Sequence, residues 1–230
     1  MGNSDMFKKL SDYMEARREL EGGLYLSDEV VQELKRAVDG AGLIIESLEE
    51  YGNRISGCVK CDLGKTRTKF VFGKGNPQAR LVFIGEAPGR DEDLQGLPFV
   101  GRAGKLLDEL LEESGFSWDE VYICNILKCR PPENRDPRPE EIELCEPYLW
   151  RQLEMIDPEI MVALGRVAAQ TLLRSDATLG NLRKTAHKYR DVPLFVTYHP
   201  AFILRNNNFR SVLVEDLKRF RQYFLTGDFG

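Results

Sequence analysis

The sequence predicts an α/β protein: a three-layer α/β/α domain with a four-stranded parallel sheet, preceded by an amino-terminal helical extension. Short apolar runs of strand length alternate with segments in which apolar residues recur every three or four positions, as on one face of a helix. Alternation of strand and helix implies a parallel sheet with helices on both faces. A chain of 230 residues, 42% of them hydrophobic, is also large enough to bury a substantial core.

Four apolar runs are predicted as the parallel strands, and they cover residues 81–84, 121–126, 160–164 and 194–197. The helical patterns cover residues 101–114, 139–155, 166–173 and 211–224. Residues 182–189 are predicted to add a short edge strand. The first strand breaks off at Gly85, and ligands of open α/β sheets bind beyond such carboxyl ends. The loop that follows is therefore expected to carry site residues.

The chain is predicted to divide into a helical extension, residues 1–52, and a main domain, residues 53–230. In the extension, Ser27 precedes apolar residues at helix spacing and is expected to cap that helix. Gly22 and Gly23 separate it from an earlier helical segment. No pattern in the extension indicates chemistry, so a packing or tethering role is preferred over a separate functional module.

Charge alone neither excludes nor supports a nucleic-acid partner. The net charge is −5, but the first 52 residues carry 6 basic and 12 acidic side chains, so the remainder is nearly neutral. A nucleic-acid-binding surface can be a local basic patch, which a sum over the chain does not reveal. No apolar run approaches the ~20 residues that span a bilayer, and residues 1–5 lack the features of a signal peptide. A cytoplasmic protein with no membrane partner is expected.

Four of the five cysteines have a spacing that suits a metal site. Cys58 and Cys61 form a CxxC pair on an irregular loop, and Cys129 and Cys145 follow the second predicted strand. The pair can supply two adjacent ligands, and the ends of two other segments can supply the rest. Buried or free thiols are the alternative, since disulfides are disfavoured in a cytoplasmic chain. The spacing favours a metal without deciding between zinc and iron, and Cys124 is expected to be a small buried residue.

Three motifs occur in order along the main domain. The first is GEAPG at residues 85–89, followed by an acidic patch and by GLPFVGRAG at residues 96–104. The second is YICNILKCRPP at residues 122–132, and the third is YHPAFILR at residues 198–205. Together with the cysteines, these motifs resemble the family 4 uracil-DNA glycosylases over roughly residues 55–225.

The resemblance implies a monofunctional DNA glycosylase that hydrolyses the N-glycosidic bond of uracil in DNA, as in base excision repair of deaminated cytosine. The expected partners are uracil-containing DNA and the product, free uracil, and the enzyme is expected to be a monomer. The resemblance also implies a [4Fe–4S] cluster held by Cys58, Cys61, Cys129 and Cys145. The expected role of the cluster is structural, because it would clamp the loop before the first strand to the segment after the second.

The resemblance further implies a pocket for a base that has been rotated out of the DNA stack. Phe99 offers an aromatic face to uracil, and the Asn125 amide can donate to O4 and accept from N3–H, a pattern that cytosine reverses. Glu92 matches the position that crowds carbon 5 and so rejects the thymine methyl group. The residues expected to line the pocket are Gly85, Glu86 and Ala87. Without the motifs, Phe99 would be assigned to the core and Glu92 to the solvated surface. The alternative for Asn125 is a loop cap, but its position at a strand end favours base recognition.

The resemblance assigns His199, one of only two histidines, to catalysis. A lone histidine is usually structural, but here a neutral imidazole is expected to hydrogen-bond O2 of uracil and stabilise the charge on the departing base. Phe202 and Ile203 are expected on an exposed loop, where they could fill the gap left by the flipped base. Arg205 is expected near the phosphates.

Two positions bear on the chemistry. Ala87 stands where related glycosylase families place an aspartate that positions the attacking water, although a small residue is usual in family 4. Stabilisation of the leaving group is therefore expected to account for most of the rate, with Glu86 or a neighbouring carboxylate orienting the water. Ala201 stands where the family commonly has serine, and the lost hydroxyl is expected to weaken DNA binding.

Two other classes of function stay open at this point. Sequences of this type also resemble the amino-terminal part of a phage DNA polymerase, which would suit a non-catalytic DNA-binding module. The cysteines alone would suit an iron–sulfur electron carrier. The presence of Phe99, Asn125 and His199 together favours the enzyme, because neither alternative needs a base pocket.

Overall fold

The computed structural model describes residues 46–227 of the chain. Most of the predicted helical extension lies outside the described residues, and the division of the chain after residue 52 stays a prediction. Helix α1, Leu48–Ile55, runs across that position. Its first turn is closed by a capping box, in which Glu50 N donates to Ser47 Oγ at 3.2 Å and Ser47 N donates to Glu50 Oε2 at 2.7 Å.

In the described part of the chain, the middle layer is a sheet of β1 (Lys74–Gly75), β2 (Leu81–Gly85), β3 (Val121–Asn125), β4 (Ile160–Leu164), β5 (His187–Tyr189) and β6 (Val192–Thr197). Their order across the sheet is β1-β3-β2-β4-β6-β5. The four central strands are parallel, which confirms the predicted parallel core. Strands β1 and β5 add antiparallel edges, and β1, which was not predicted, makes the sheet one strand wider than expected.

The helices after α1 are α2 (Leu63–Thr66), α3 (Arg90–Gln95), α4 (Arg102–Glu113), α5 (Pro139–Ile156), α6 (Arg166–Leu173), α7 (Leu179–Leu182), α8 (Pro200–Arg205) and α9 (Arg210–Thr226). The four predicted helices correspond to α4, α5, α6 and α9. The edge strand predicted over residues 182–189 is wrong in its first part, because Leu182 ends helix α7. Within residues 46–227, no helix is long and apolar enough to cross a membrane.

Strand side chains alternate between two cores on opposite faces of the sheet. In β2, Val82 and Ile84 belong to one core, and Leu81 and Phe83 belong to the other, as the two-residue repeat of a strand requires. Buried residues of α5 and α6 complete the first core, and buried residues of α4 and α9 complete the second. These two helical layers around the sheet confirm the α/β/α prediction.

The carboxyl ends of the parallel strands bring three predicted site residues to one edge of the sheet. Strand β2 leads into Glu86, β3 ends at Asn125, and His199 lies two residues beyond the end of β6. The strand register pairs Gly85 directly with Asn125. The hydrogen-bonded ladder therefore fixes the spacing of residues that are far apart in the sequence.

Candidate active site

A cavity of about 400 Å³ lies at the carboxyl ends of the central strands. Predicted site residues in its lining are Glu86, Ala87, Glu92, Phe99, Asn125, His199, Phe202 and Arg205. Two other predicted residues, Gly85 and Ile203, do not line it. A cavity of this size suits a small organic ring.

Gly85 lies behind the cavity wall. Because it has no side chain, Asn125 and Phe99 can pack against it and form the wall. A Cβ at this position would overlap Asn125 Oδ1 and would come within 2.9 Å of Phe99 Cζ. Any larger residue would therefore displace both side chains. Gly85 thus contacts the two residues that were assigned to hold the base, although it does not line the cavity itself.

Asn125 is an enclosed polar residue, only 2% exposed. Its Oδ1 atom is buried and has no hydrogen-bond partner among residues 46–227. An unsatisfied buried acceptor costs about 1–3 kcal/mol, so its position in a cavity wall indicates that a ligand supplies the missing donor. A planar ring with an N–H group beside a carbonyl group would match the asparagine amide.

Phe99 has a left-handed backbone conformation with φ of 52°, which costs about 1–2 kcal/mol for a residue of this kind. The chain just after it is held by Glu92, whose Oε1 accepts hydrogen bonds from Val100 N and Gly101 N, both at 2.9 Å. Gly104 packs against the Phe99 carbonyl so closely that a Cβ there would overlap the oxygen. Backbone strain of this kind concentrates at functional sites, and here it fixes the direction of an aromatic ring.

Glu92 therefore has a contact that the sequence did not indicate. Its side chain lines the cavity, and one carboxylate oxygen is occupied by the two amides that follow Phe99. These bonds make Glu92 a brace for the loop that carries the aromatic ring. Its steric role at carbon 5 of a base stays a prediction.

His199 is the N-cap residue of α8, and its Nδ1 accepts a hydrogen bond from Ala201 N at 3.1 Å. In a neutral imidazole one nitrogen accepts and the other donates, so Nε2 carries the proton. Burial, with the positive charge of Arg205 as a second cause, lowers the pKa of His199 to about 4. The ring is therefore neutral at pH 7. It lies 5.6 Å from the Phe99 ring, centroid to centroid, with 28° between their planes.

Glu86 follows β2 directly, and its carbonyl accepts a hydrogen bond from Leu127 N at 3.0 Å. Burial and the negative charge of Asp136 raise the pKa of Glu86 to about 7, against the opposing charge of Arg166. Arg166 and Asp136 are themselves paired at 2.7 Å. A carboxyl group with a pKa near 7 can exchange a proton with water at neutral pH, which suits a residue that orients or activates water.

Helix α8 separates the predicted DNA-contacting residues into a buried and an exposed set. Ile203 is 1% exposed and belongs to the core that α4 and α9 share with the sheet, so its prediction as an exposed residue is wrong. Leu204 is 40% exposed, and Arg205 is exposed as well. The position of Arg205 near the phosphates stays a prediction. The error at Ile203 arises because residues 200–205 form a helix and not the predicted loop. Successive side chains of a helix point about 100° apart, so neighbouring residues can differ in burial.

Phe202 is a fixed part of the cavity wall. Its ring stacks on Tyr198, with 13° between the planes and 5.1 Å between the centroids, and Phe209 contacts both rings edge-on. Arg183 lies 4.4 Å over the Tyr198 ring and pairs with the buried carboxylate of Asp216 at 2.8 Å. This chain of contacts anchors the segment around His199 to helix α9.

The four cysteines predicted as metal ligands, Cys58, Cys61, Cys129 and Cys145, line one small cavity. Donor groups approach three of their sulfur atoms. Arg67 Nη1 lies 3.3 Å from Cys129 Sγ, Tyr148 Oη lies 3.3 Å from Cys58 Sγ, and Lys128 N lies 3.4 Å from Cys145 Sγ. Four thiols with N–H and O–H donors to sulfur fit the chemistry of an iron–sulfur cluster.

Within residues 46–227, no group of three or more histidine, cysteine, aspartate or glutamate side chains is arranged to hold one ion. The ligands of an iron–sulfur cluster each bind a different iron atom and need not converge on one point. The fifth cysteine, Cys124, is fully buried in β3, as predicted.

The end of the second motif and the turn that follows it contribute to the cavity in a way that was not predicted. Pro131, Asn134, Arg135 and Asp136 all line the cavity. Arg135 is held by Glu141 through two hydrogen bonds, at 2.6 and 2.9 Å. The proline and asparagine residues of this segment indicate a turn, but nothing in the sequence indicates which cavity the turn covers.

The fold and the site define an α/β/α protein with a small cavity at the carboxyl ends of a parallel sheet, and the cavity wall includes a buried asparagine amide. Residues 72–220 match the family described as the Uracil DNA glycosylase superfamily. The matched region includes the whole lining of the cavity and excludes Cys58 and Cys61. The chain therefore belongs to the uracil-DNA glycosylase superfamily.

Individual relatives are similar over most of their length. A type-4 uracil-DNA glycosylase from Archaeoglobus fulgidus is 47% identical over 183 residues, which are 76% of this chain and 92% of that protein. Type-4 uracil-DNA glycosylases from Sulfurisphaera tokodaii and Thermotoga maritima are each 42% identical. The alignment with the Sulfurisphaera tokodaii protein covers 79% of this chain and 87% of that protein. The alignment with the Thermotoga maritima protein covers 77% of this chain and 95% of that protein.

Proposed function

We propose that this protein is a uracil-DNA glycosylase, which hydrolyses the bond between N1 of uracil and C1′ of deoxyribose in DNA. The observation that carries the proposal is the enclosed amide of Asn125, which lies in one cavity with Phe99 and a neutral His199. The buried Oδ1 of Asn125 has no hydrogen-bond partner in the described part of the chain. The superfamily membership and the type-4 relatives support the same activity. Action as a monomer in the cytoplasm stays a prediction from the sequence.

Base recognition follows from the asparagine amide. The flipped uracil would stack on Phe99, with N3–H donating to Asn125 Oδ1 and O4 accepting from Asn125 Nδ2. Cytosine presents an acceptor at N3 and an amino group at carbon 4, so both hydrogen bonds would become mismatches of about 1–3 kcal/mol each. Thymine presents the same edge as uracil and has to be rejected at carbon 5, the position assigned to Glu92.

Departure of the base is the step that His199 would accelerate. As the C1′–N1 bond breaks, its electron pair leaves with uracil, and the negative charge spreads over N1, O2 and O4. The Nε2–H of His199 would donate to O2 while Asn125 donates to O4. A fixed donor in an enclosed site stabilises such charge more than water does, because it needs no reorganisation during the reaction.

Water completes the reaction at C1′, where its oxygen forms the new bond and its proton is released. We assign the orientation of this water to Glu86, because it lines the cavity and has a pKa near 7. The neighbouring Ala87 has no polar side chain that could take the role. Glu86 in its carboxylate form can accept the hydrogen bond and, late in the reaction, the proton.

This assignment predicts a pH dependence of base release. The raised pKa means that Glu86 is protonated below pH 7 and ionised above it, so a step that needs the carboxylate accelerates as the pH rises. We expect kcat/KM to fall about tenfold from pH 8 to pH 6 in the parent protein and to lose this dependence in Glu86→Gln. Glu133→Gln, at an exposed carboxylate outside the cavity, is the control. An unchanged profile in Glu86→Gln would assign the titration to another group.

Incubation with labelled oligonucleotides tests the proposed activity. A strand with a single uracil should break at that position after alkali, while strands with thymine or cytosine there should stay intact. Free uracil should appear in the same amount as the broken strands. A non-catalytic DNA-binding module would retain the DNA without breakage, and an electron carrier would neither bind nor break it.

We propose Leu204 as the apolar side chain that fills the gap left by the flipped base. It is the exposed apolar residue of α8, next to Arg205, whereas Ile203 points into the core. Burying a leucine side chain contributes about 1.5–3 kcal/mol, so Leu204→Ala should slow release from a U·A duplex tenfold or more. Release from single-stranded DNA should change little, because no stack has to be refilled.

Two variants make the test of Leu204 specific. Leu225→Ala removes a leucine that is still more exposed, 66% against 40%, from the end of α9 and should leave both rates unchanged. Ile203→Ala should lower the free energy of unfolding by about 2–5 kcal/mol, because it leaves a core cavity, and should affect both substrates alike. Equal loss on the two substrates in Leu204→Ala would exclude it as the gap-filling residue.

We also propose that Cys58, Cys61, Cys129 and Cys145 hold a [4Fe–4S] cluster. The support is their common cavity, the donors to their sulfur atoms and the resemblance of the cysteine pattern to family 4. The cluster would supply a covalent cross-link among three segments of the chain. The chain's own residues, and not the cluster, carry the steps of base release derived above.

The cluster assignment predicts brown protein with about four irons per chain, as the cluster formula requires. Cys58→Ser should bleach the visible absorbance and lower solubility, because a ligand is lost. Cys124→Ala is the matched control, since Cys124 is buried in β3 and should leave the colour intact. Colourless protein with stoichiometric zinc would contradict the cluster and leave the glycosylase proposal untouched.

A further inference from the structure

Lys128 is a fully buried lysine in the core of the domain, 0% exposed. Lysine is among the residues least often found buried, unless its charge is paired. In the described part of the chain Lys128 forms no ion pair with a carboxylate, and its Nζ instead donates to three oxygens. These are Asn125 O at 2.9 Å, Gln152 Oε1 at 2.6 Å and Phe72 O at 3.2 Å.

The three acceptors match the three N–H groups of an ammonium and come from separate parts of the fold. Phe72 lies on the segment before β1, Asn125 ends β3, and Gln152 is on helix α5. Gln152 is also fully buried, and its Nε2 donates to Phe72 O and to Tyr122 Oη, both at 3.1 Å. Lys128 is thus the central donor of an enclosed polar network, whose members support one another only when all are satisfied.

This network joins the base pocket to the cysteine cavity. On the pocket side, Lys128 binds the backbone of the residue whose side-chain amide forms the cavity wall. On the other side, Lys128 N lies 3.4 Å from Cys145 Sγ, and Cys129 is the next residue in the chain. Cys145 and Gln152 lie two turns apart on α5. The same helix therefore contacts both the backbone N and the side-chain Nζ of Lys128.

We propose that Lys128 is a positioning residue for base recognition, which holds the Asn125 backbone against helix α5 and so couples the cysteine cavity to the uracil pocket. The inference rests on the proposed function in so far as uracil is the base bound. Asn125 is the last residue of β3, and the strand ladder holds its backbone on the side of β2. Lys128 adds a second restraint, because its Nζ bonds both to the Asn125 carbonyl and to Gln152 in the last third of helix α5.

Lys128→Met tests this role, because methionine fills similar space and donates no hydrogen bond. A small misplacement of a binding group can reduce turnover by up to 10²-fold, so we expect kcat/KM on single-stranded uracil DNA to fall about 10- to 100-fold. Affinity for free uracil should fall in parallel. Affinity for undamaged DNA should stay the same, since the DNA-facing residues are unaffected.

Tyr122→Phe is the matched control, since it removes one hydrogen bond of the same buried network and leaves all three bonds of Lys128 in place. It should lower the melting temperature while uracil affinity and kcat/KM per folded molecule stay at the parent values. If Lys128→Met does not fold, Gln152→Met takes its place, because it removes the helix anchor of Lys128 and keeps the lysine. It should weaken uracil binding severalfold.

The outcomes separate this inference from the proposed function. If folded Lys128→Met binds and releases uracil like the parent protein, the positioning role is overturned. The same result in Gln152→Met overturns it when Lys128→Met does not fold. Equal losses in Tyr122→Phe would overturn it as well, because they would show a general loss of core stability. If the parent protein releases no uracil, the proposed function fails, whereas uracil affinity still decides the role of Lys128.

Discussion

Replacement of His199 by alanine is expected to slow uracil release by roughly 10²- to 10³-fold, the usual loss when one oxyanion donor is removed. The imidazole is neutral at pH 7, because its pKa is about 4, and the bond from Ala201 N to Nδ1 leaves Nε2–H as the donor. The donor acts on charge that develops only as the base departs. Affinity for uracil-containing DNA should therefore change little, and single-turnover rates with saturating enzyme should show the full effect.

His187→Ala is the control for this variant, since it removes the other histidine. His187 lies on edge strand β5, where its Nε2 bonds to Leu182 O at 2.8 Å, and it does not line the cavity. Its loss should leave the rate of release unchanged. If His199→Ala abolishes DNA binding while bound substrate still turns over at the parent rate, His199 is a DNA contact and the proposed mechanism is wrong.

Asn125→Asp is expected to lose uracil release by roughly 10²-fold or more, since each tenfold corresponds to ~1.4 kcal/mol. The change keeps the shape of the side chain but replaces the N–H donor with an oxygen, so O4 of uracil would face a carboxylate. Cytosine would gain a partner for its amino group, and a trace of cytosine release should appear. Rates on single-stranded DNA measure the effect without a contribution from base flipping.

The cavity offers a matched control for this substitution. Asn134 also lines the cavity, and its Oδ1 accepts a hydrogen bond from Arg130 Nε at 2.8 Å, which an aspartate can still do. Asn134→Asp adds the same negative charge to the same cavity and should retain most of the activity. Release of uracil at the parent rate by Asn125→Asp would show that another residue reads the base.

The parallel core of the fold was predictable because its strands are continuous apolar runs buried on both faces. Strand β1 was missed, since Lys74 and Gly75 carry no apolar pattern and pair only through their backbone with β3. The start of the edge strand was misplaced because residues 179–182 form a turn of helix that lacks a side-chain cap. Short elements of this kind are set by their neighbours in space, which a sequence pattern does not record.

Site residues that belong to the three sequence motifs could be predicted, and the others could not. Eight of the residues assigned from the three motifs line one cavity, although their roles stay proposals. Ile203 was predicted to be exposed and Leu204 was not considered, because exposure here depends on the rotation of a helix that begins at Pro200. The hydrogen bonds of Glu92 to Val100 N and Gly101 N carry no sequence signal, since acidic residues in an acidic loop are usually solvated.

The burial of Lys128 could not be predicted from the sequence either. A lysine beside an arginine-containing, proline-rich turn would be placed on the surface by composition alone. Its burial depends on oxygens contributed by residues 72, 125 and 152, which converge only in the folded chain. A buried polar network of this kind becomes visible only when the positions of its acceptors are known.

The protonation state of His199 in the presence of uracil tests the proposed mechanism most directly. The protein has two histidines, so nitrogen NMR of protein labelled with ¹⁵N-histidine, with His187→Gln for assignment, resolves both rings. We predict that His199 stays neutral from pH 8 down to about pH 5, with the proton on Nε2, because its pKa is about 4. Addition of uracil should shift the Nε2–H resonance to that of a stronger hydrogen bond and leave His187 unchanged. A positively charged His199 ring at pH 7, or a ring that does not respond to uracil, would contradict the mechanism.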